Sequence, residues 1–170
     1  MTELTRDIGM ETLSVSELAG KYLTFSLAGE EYGIGILKVK EIIGMMNIRT
    51  IPKAPDYIKG FINLRGKVIP VFDLRIKFGL KDTEYTDRTC IIVVETMGKE
   101  SSILMGTVVD SVSEVLNVKV ADIEKKPEFG VDVDTNFILG IAKSGDRVKI
   151  LLDIDKVISP HEVEVISEAA

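Results

Sequence analysis

The chain has 170 residues, of which 45% are hydrophobic and 28% are charged, a composition typical of a globular protein with a sizeable core. Its 21 Lys and Arg against 27 Asp and Glu give a net charge of −6, which disfavours a broad basic surface for nucleic acid. A single cysteine excludes an intrachain disulfide and a cysteine-rich zinc site.

The sequence shows neither a secretory signal nor a membrane-spanning segment. The first residues lack the basic region and apolar core of a secretory signal. The apolar runs are far shorter than the ~20 residues that a membrane-spanning helix needs. The sequence therefore predicts a cytoplasmic protein that does not insert directly into a membrane.

The N-terminal third predicts a tail, a hairpin and a short helix. Residues 1–18 show no sustained hydrophobic period and are predicted to form a flexible tail. Alternating apolar residues then predict a hairpin that turns near Gly29. Apolar residues next recur at helical spacing, so a short helix is predicted over 36–44. A short strand over 48–51 follows.

A second hairpin is predicted over 57–72, with its turn at 65–67. Pro70 lies inside its second strand, which predicts an edge strand or a bulge because proline cannot donate a hydrogen bond to a neighbouring strand. Asp73 is a suitable N-cap for a short helix over 74–78.

The second half of the chain begins after a polar segment, residues 81–88, which is the best internal boundary. Further strands are predicted on both sides of a polar connector near residue 126, and a closing helical turn comes last. The predicted elements are strands over 90–96, 103–109, 137–142 and 148–152 and a helical turn over 153–158.

A weak internal repeat links the two halves. Gly60 and Asp73 bracket a strand, a glycine-containing turn and a second strand, and Gly140 and Asp153 bracket the same plan at the same spacing. Each aspartate then opens a short helix. Because hairpins with glycine turns are common, chance similarity is the alternative. The preferred interpretation is two similar small β-barrels, whose closure removes exposed sheet edges.

Residues that could carry catalysis or bind a metal are few. Cys90 lies in a strand-like apolar run, where a buried structural thiol is the simpler interpretation, and the single histidine, His161, lies near the C-terminus. No phosphate-binding loop of the Walker type is present. Paired carboxylates occur only at polar positions without His or Cys, namely Glu30 with Glu31, Asp110 with Glu114, and Asp132 with Asp134. The sequence predicts no enzyme activity, no cofactor and no metal.

Arg65 is more informative about function than Cys90, His161 or the paired carboxylates. It stands at the turn of the second hairpin, beside Gly66. Arginine at such a position is usually a solvated charge, but its planar fork and apolar stem also make it a frequent anchor of protein interfaces.

Taken together, the motifs resemble those of the CheW family, the coupling proteins of bacterial and archaeal chemotaxis. The resemblance covers about residues 21–158, nearly the whole chain. It rests on Tyr32-Gly33-Ile34, Ile36-Leu37-Lys38-Val39, Glu41-Ile42, Ile51-Pro52, Ile58-Lys59-Gly60, Asn63-Leu64-Arg65-Gly66, Ile69-Pro70-Val71, Asp73-Leu74-Arg75, Val108-Val109-Asp110-Ser111-Val112, and Ile123 with Pro127.

This resemblance implies a mainly β fold of two intertwined SH3-like five-stranded β-barrels with short helices. The expected division is a tail over 1–18, one CheW-like domain over 19–160 and a C-terminal tail over 161–170. Within the domain, the first barrel is expected mainly in 19–80 and the second mainly in 88–153, and a return of the C-terminal segment to the first barrel is left open.

The implied function is that of a non-catalytic adaptor, which joins the cytoplasmic tip of a chemoreceptor to the regulatory domain of the histidine kinase CheA in a membrane-associated array. By their match to the family motifs, Val39 and Glu41 are expected to face the kinase, and Gly60, Arg65 and Val115 to face the receptor. For Val39 and Val115, a place in the core is the alternative.

Other functions remain as alternatives. The same module forms the regulatory domain of CheA and the front half of CheV, so a CheW-like module of another two-component system is one of them. A small-barrel nucleic-acid-binding module is more remote because of the net acidity. A hydrolase is remote as well, because the chain offers no convincing pair of nucleophile and base.

Overall fold

The structure is a computed structural model that describes residues 15–80, 84–98, 101–125 and 136–158. Eleven strands and three short α-helices lie in these residues. The strands are β1 (Gly20–Leu27), β2 (Glu30–Gly35), β3 (Val39–Gly44), β4 (Ile58–Leu64), β5 (Lys67–Asp73), β6 (Cys90–Met97), β7 (Ser102–Val109), β8 (Ser111–Val118), β9 (Ile123–Lys125), β10 (Ile138–Ser144) and β11 (Arg147–Leu152). The helices are α1 (Val15–Leu18), α2 (Leu74–Lys77) and α3 (Ile154–Val157).

The strands form two sheets that exchange parts of the chain. One sheet has six strands in the order β8-β1-β2-β11-β10-β9, and the other has five in the order β3-β6-β7-β5-β4. The chain leaves the hairpin β1–β2 and crosses to the five-stranded sheet, where β3 pairs with β6. It leaves the hairpin β6–β7 in the same manner, and β8 pairs with β1. The predicted mainly β fold with two intertwined subdomains is confirmed.

The predicted division of the chain between the subdomains is wrong. The six-stranded sheet takes residues 20–35 and 111–152, whereas the five-stranded sheet takes residues 39–109. A division at the polar segment 81–88 fails because β3 to β5 pair with strands that follow that segment. The C-terminal hairpin β10–β11 does return to the first hairpin, where β11 runs parallel to β2.

The internal repeat has the same detailed geometry in both sheets. Hairpin β4–β5 has a bulge between Ile58 and Gly60, and hairpin β10–β11 has one between Ile138 and Gly140. The second strand of each hairpin then pairs in parallel with an earlier hairpin, β5 with β7 and β11 with β2. Asp73 and Asp153 cap the helices that follow, as predicted.

Three local predictions need correction. The predicted helix over 36–44 is a single 3-10 turn, Ile36–Lys38, followed by β3, since pairing with β6 outweighs the apolar spacing. The predicted strand over 48–51 is reduced to one bridge, between Arg49 and Phe61. The predicted tail over 1–18 includes helix α1, whose Leu18 is buried; residues 1–14 lie outside the described residues.

Pro70 does not lie in an edge strand. Strand β5 lies inside the sheet, between β7 and β4. The ladder between β5 and β7 begins at Val71, one residue after the proline, so Pro70 precedes the segment that pairs on that side. The bulge is in the facing strand, at Lys59, rather than at the proline.

The core explains why the two sheets form one unit. Each sheet has its own small apolar cluster, and the largest cluster contains side chains of both sheets. In the shared cluster, Phe25 and Ile34 of the six-stranded sheet pack with Phe72, Ile92 and Met105 of the five-stranded sheet. All five of these side chains are essentially inaccessible to solvent. Neither sheet can therefore separate without exposing shared apolar surface.

One buried threonine offers a direct test of this core. The Thr107 hydroxyl on β7 is buried and has no hydrogen-bond partner in the described part of the chain. Valine has the same shape without the polar group, so Thr107→Val should raise the free energy of unfolding by about 1 kcal/mol, measured by urea titration. Thr24 is a matched control because its buried hydroxyl donates to Glu114 O and accepts from Glu114 N. Thr24→Val should therefore destabilise the protein, and equal effects of both variants would contradict this interpretation.

Candidate functional site

The five residues predicted to bind partners lie in three places in the fold. Glu41 and Val39 are on β3, Gly60 and Arg65 belong to the β4–β5 hairpin, and Val115 is on β8 in the other sheet. The most direct contact among them is an ion pair between residues that were assigned to different partners. The guanidinium of Arg65 donates to both carboxylate oxygens of Glu41, with Nη1 3.3 Å from Oε2 and a shorter contact from Nη2 to Oε1.

The geometry of Arg65 follows from its turn. Arg65 and Gly66 both have positive φ, 52° and 89°, the combination that the tight turn of a two-residue hairpin requires. The Gly66 N–H donates to the Asn63 side chain, 2.9 Å away, which supports the turn. The Arg65 side chain remains 70% exposed while it pairs with Glu41. It can therefore contact another protein without leaving its place.

Glu41 forms this ion pair from the opposite edge of the sheet. Strand β3 is the first strand of the five-stranded sheet and β4 is the last, so the pair joins the two edges of one sheet. Ile43 of β3 packs against the apolar cluster that contains Ile62 of β4. The hydrogen bond from Arg65 lowers the pKa of the Glu41 carboxyl, so the pair persists to a more acidic pH than an unpaired glutamate would allow.

Val39 lies on the same strand as Glu41, not on a helix. Both side chains are half-buried and Lys40 between them is exposed, the alternation expected of a strand. Val39 packs against the shared core, which supports the alternative that it has a core role.

Gly60 is buried, and the space beside it is filled by the chain itself. A Cβ atom added at this position would lie 1.8 Å from the carbonyl oxygen of Arg49, and φ is +143°. The Arg49 oxygen accepts a hydrogen bond from Phe61 N, 2.8 Å away, and holds the two segments together. Gly60 therefore makes room for residues 49 and 50 of the chain itself.

Val115 is accessible, in contrast to Gly60. Its side chain is 53% exposed on β8, the first strand of the six-stranded sheet. A register shift between Leu23 and Phe25 of β1 marks a bulge in the pairing with β8. At that point the buried Thr24 hydroxyl bonds both backbone groups of Glu114. The core alternative for Val115 does not hold, since the side chain faces solvent.

An open cavity of about 520 Å³ lies at the place where the two sheets meet. Sequence reasoning did not predict it, because its walls come from three segments that are far apart in the chain. Its lining consists of Ser26, Arg88, Cys90, Ser111, Val112 and Ser113. Burial raises the pKa of the Cys90 thiol, and a hydrogen bond with the Val112 backbone opposes that shift only in part. The thiol is therefore protonated at neutral pH, as expected of a structural cysteine.

Sequence reasoning also missed a buried ionic cluster around Arg75. Its side chain is 1% exposed and bonds Asp73, which is fully buried, through Nη2 at 3.1 Å. Asp110 Oδ1 lies 3.2 Å from Nη1. Burial disfavours the charged guanidinium, but the hydrogen bond and charges of Asp73 and the charge of Asp110 outweigh it and raise the pKa of Arg75. The motifs that contain these residues were noticed in the sequence, but their contact was not.

In the described residues, no group of three or more His, Cys, Asp and Glu side chains is placed to hold a metal ion. No helix within 15–80, 84–98, 101–125 or 136–158 has the length and apolar character to cross a bilayer. His161, Asp132 and Asp134 lie outside the described residues.

Comparison with known proteins gives a consistent result. The model of the CheW-like domain family matches residues 21–162. A chemotaxis protein CheW of Klebsiella aerogenes is 41% identical over 162 residues, covering 92% of this chain and 95% of that protein. A chemotaxis protein CheW of Treponema pallidum is 31% identical, covering 89% of each chain. The crystal structure of the scaffolding protein TtCheW from Thermoanaerobacter tengcongensis superposes with a TM-score of 0.74 at 37% identity, covering 85% of this chain and 95% of that one.

Proposed function

Because this chain belongs to the CheW family of chemotaxis scaffold proteins, we propose that it couples chemoreceptors to the histidine kinase CheA. The observation that carries the proposal is the family match over residues 21–162, which spans both sheets. A scaffold acts by binding, so the proposal assigns no catalytic step to any residue. The proposed location is the cytoplasmic face of a receptor array.

The accessible residues suggest how two partners share one small protein. We assign Glu41 to the CheA surface and Arg65 and Val115 to the receptor surface, because all three side chains reach solvent. Val39 and Gly60 are half-buried and buried. We therefore assign them an indirect role, in which Val39 anchors β3 to the core and Gly60 fixes the hairpin that carries Arg65.

Binding of each partner by itself is the direct test of this assignment. The full-length chain should bind the purified regulatory domain of CheA and, in a separate titration, a soluble fragment of a receptor signalling tip. Isothermal calorimetry or fluorescence anisotropy would measure both affinities. Failure to bind either partner under conditions where a known CheW binds it would refute the proposal.

Charge reversal at Glu41 should weaken CheA binding strongly. We propose that Glu41 on β3 meets a basic residue of CheA. Glu41→Lys would then place two positive charges opposite each other across the interface, which is unfavourable. We expect the affinity for the CheA regulatory domain to fall by about tenfold or more. The receptor affinity should fall as well, because the variant releases Arg65 from its ion pair.

Glu124→Lys is the matched control, since Glu124 is likewise a solvent-accessible glutamate in an ion pair, with Lys143 in the six-stranded sheet. Circular dichroism would confirm that both variants fold. If Glu41→Lys binds CheA as tightly as the control does, Glu41 does not belong to the kinase surface.

A further inference from the structure

Two ion pairs hold the segments in which the chain crosses between the sheets. At the crossing from β7 to β8, Asp110 lies against Arg75, the second residue of α2, with Nη1 and Oδ1 3.2 Å apart. The other carboxylate oxygen of Asp110 accepts a hydrogen bond from Ala28 N, 2.8 Å away, in the β1–β2 turn. Asp110 therefore joins a helix that follows one sheet to a hairpin of the other.

The crossing from β2 to β3 has the corresponding contacts. Lys38 Nζ lies 2.6 Å from Oδ2 of Asp155, the second residue of α3. The Oδ1 atom of Asp155 accepts a hydrogen bond from Met97 N, 3.0 Å away, where β6 ends. Again one carboxylate binds both a basic side chain and a backbone N–H of the hairpin in the other sheet.

The internal repeat makes Arg75 and Asp155 equivalent. Each is the second residue of its helix, and its backbone N–H donates to the capping aspartate, Asp73 or Asp153. The charges are inverted, however. The helix supplies the cation at one crossing and the carboxylate at the other. Were the crossings exchanged, Arg75 would face Lys38 and Asp155 would face Asp110, and both contacts would be repulsive.

We propose that these two charge-inverted ion pairs act as latches that position the exchanged strands, and that Asp155 is a positioning residue for the CheA surface. Lys38 immediately precedes β3, which carries Val39 and Glu41, so the latch sets where that strand begins. This assignment rests on the proposed function, because it concerns the surface assigned to CheA. In the same way, Asp110 of the Arg75 latch immediately precedes β8, which carries Val115.

The Asp155 latch is the better one to test. The Lys38 and Asp155 side chains are 39% and 25% exposed, so their loss should leave the fold intact, whereas Arg75 is buried and its loss would destabilise the core. Asp155→Ala removes the ion pair and the bond to Met97. Lys38→Met removes the ion pair alone and keeps an apolar stem.

We expect Asp155→Ala to weaken binding of the CheA regulatory domain by about fivefold. The affinity for the receptor fragment should fall less, since the latch touches neither β8 nor the β4–β5 turn and reaches Arg65 through the ion pair with Glu41. Lys38→Met should show a smaller loss in the same direction. Hydrogen exchange at the amides of β3 should accelerate in Asp155→Ala, whether or not a partner is present. Glu124→Ala, which removes an ion pair elsewhere in the six-stranded sheet, is the control and should change neither property.

The outcomes separate this inference from the proposed function. If the wild-type protein binds neither partner, the proposed function is refuted. The hydrogen-exchange rates of the β3 amides in Asp155→Ala then show by themselves whether the latch positions β3. If CheA affinity and β3 exchange in Asp155→Ala equal those of the control, the latch has no positioning role. An equal loss of affinity for both partners in Asp155→Ala also overturns the inference, because it indicates a general loss of structure rather than a local effect on β3.

Discussion

Replacing Gly60 with alanine should lower the free energy of unfolding by about 3 kcal/mol or more. A Cβ atom at this position would overlap the Arg49 carbonyl oxygen, at 1.8 Å, and φ is +143°, a value that residues with a side chain rarely adopt. The obstacle is backbone, which cannot rotate away as a side chain can. Relief requires that the Arg49–Phe61 bridge opens.

Gly35→Ala is a suitable control because no atom lies within 4 Å of the added carbon and φ is −56°. Urea or thermal unfolding of the two variants would measure the difference. If Gly60→Ala is as stable as Gly35→Ala, the close approach of the Arg49 backbone is not a feature of the folded protein. A loss of receptor binding in a Gly60 variant should accordingly be accompanied by a loss of stability.

Replacing Arg65 with alanine should weaken receptor binding by at least about tenfold, with little change in melting temperature. Arg65 is the exposed member of its ion pair, and its apolar stem and planar fork suit the contact with a helical receptor tip. Affinity for CheA should change by less than about threefold, because Glu41 keeps its charge and β3 keeps its ladder with β6.

Two further variants separate the side chain from the turn. Arg65→Asn loses the guanidinium but favours the positive φ of this position, so it should weaken receptor binding as much as alanine does. Arg147→Ala removes an exposed arginine from the equivalent hairpin and should leave receptor binding unchanged. An affinity of Arg65→Ala within threefold of wild type would show that Arg65 is an ordinary surface charge.

Features that depend on nearby residues were predictable from the sequence. The β4–β5 and β10–β11 hairpins, with their capping residues Asp73 and Asp153, were located correctly. Turn residues and N-caps act through hydrogen bonds over a few positions, so their signals are local. The repeat was visible for the same reason.

Features that depend on distant residues were not predictable. Strand β3 looked helical because Val39 and Ile43 have helical spacing, and only its pairing with β6 makes it a strand. The exchange of β3 and β8 between the sheets has no local sign, so the division between the subdomains was misplaced. The surroundings of Gly60 could not be foreseen either, since residues 49 and 50 approach it only in the folded chain.

The candidate site shows the same limit. Glu41 and Arg65 were singled out for two different partners, yet the structure pairs them across 24 residues of sequence. Long-range ion pairs of this kind depend on how the sheet closes, which no spacing rule predicts. The family resemblance identified both residues without revealing their contact.

Recruitment of CheA to receptors is the measurement that tests the proposed coupling most directly. Vesicles or assembled fragments that carry receptor signalling tips would be sedimented with purified CheA, with and without the full-length chain, and the Glu41→Lys and Arg65→Ala variants would be compared. We expect CheA to sediment with the receptors only when the wild-type chain is present, and we expect either variant to reduce this recruitment. CheA sedimentation that is unchanged when the chain is added would contradict the proposed coupling.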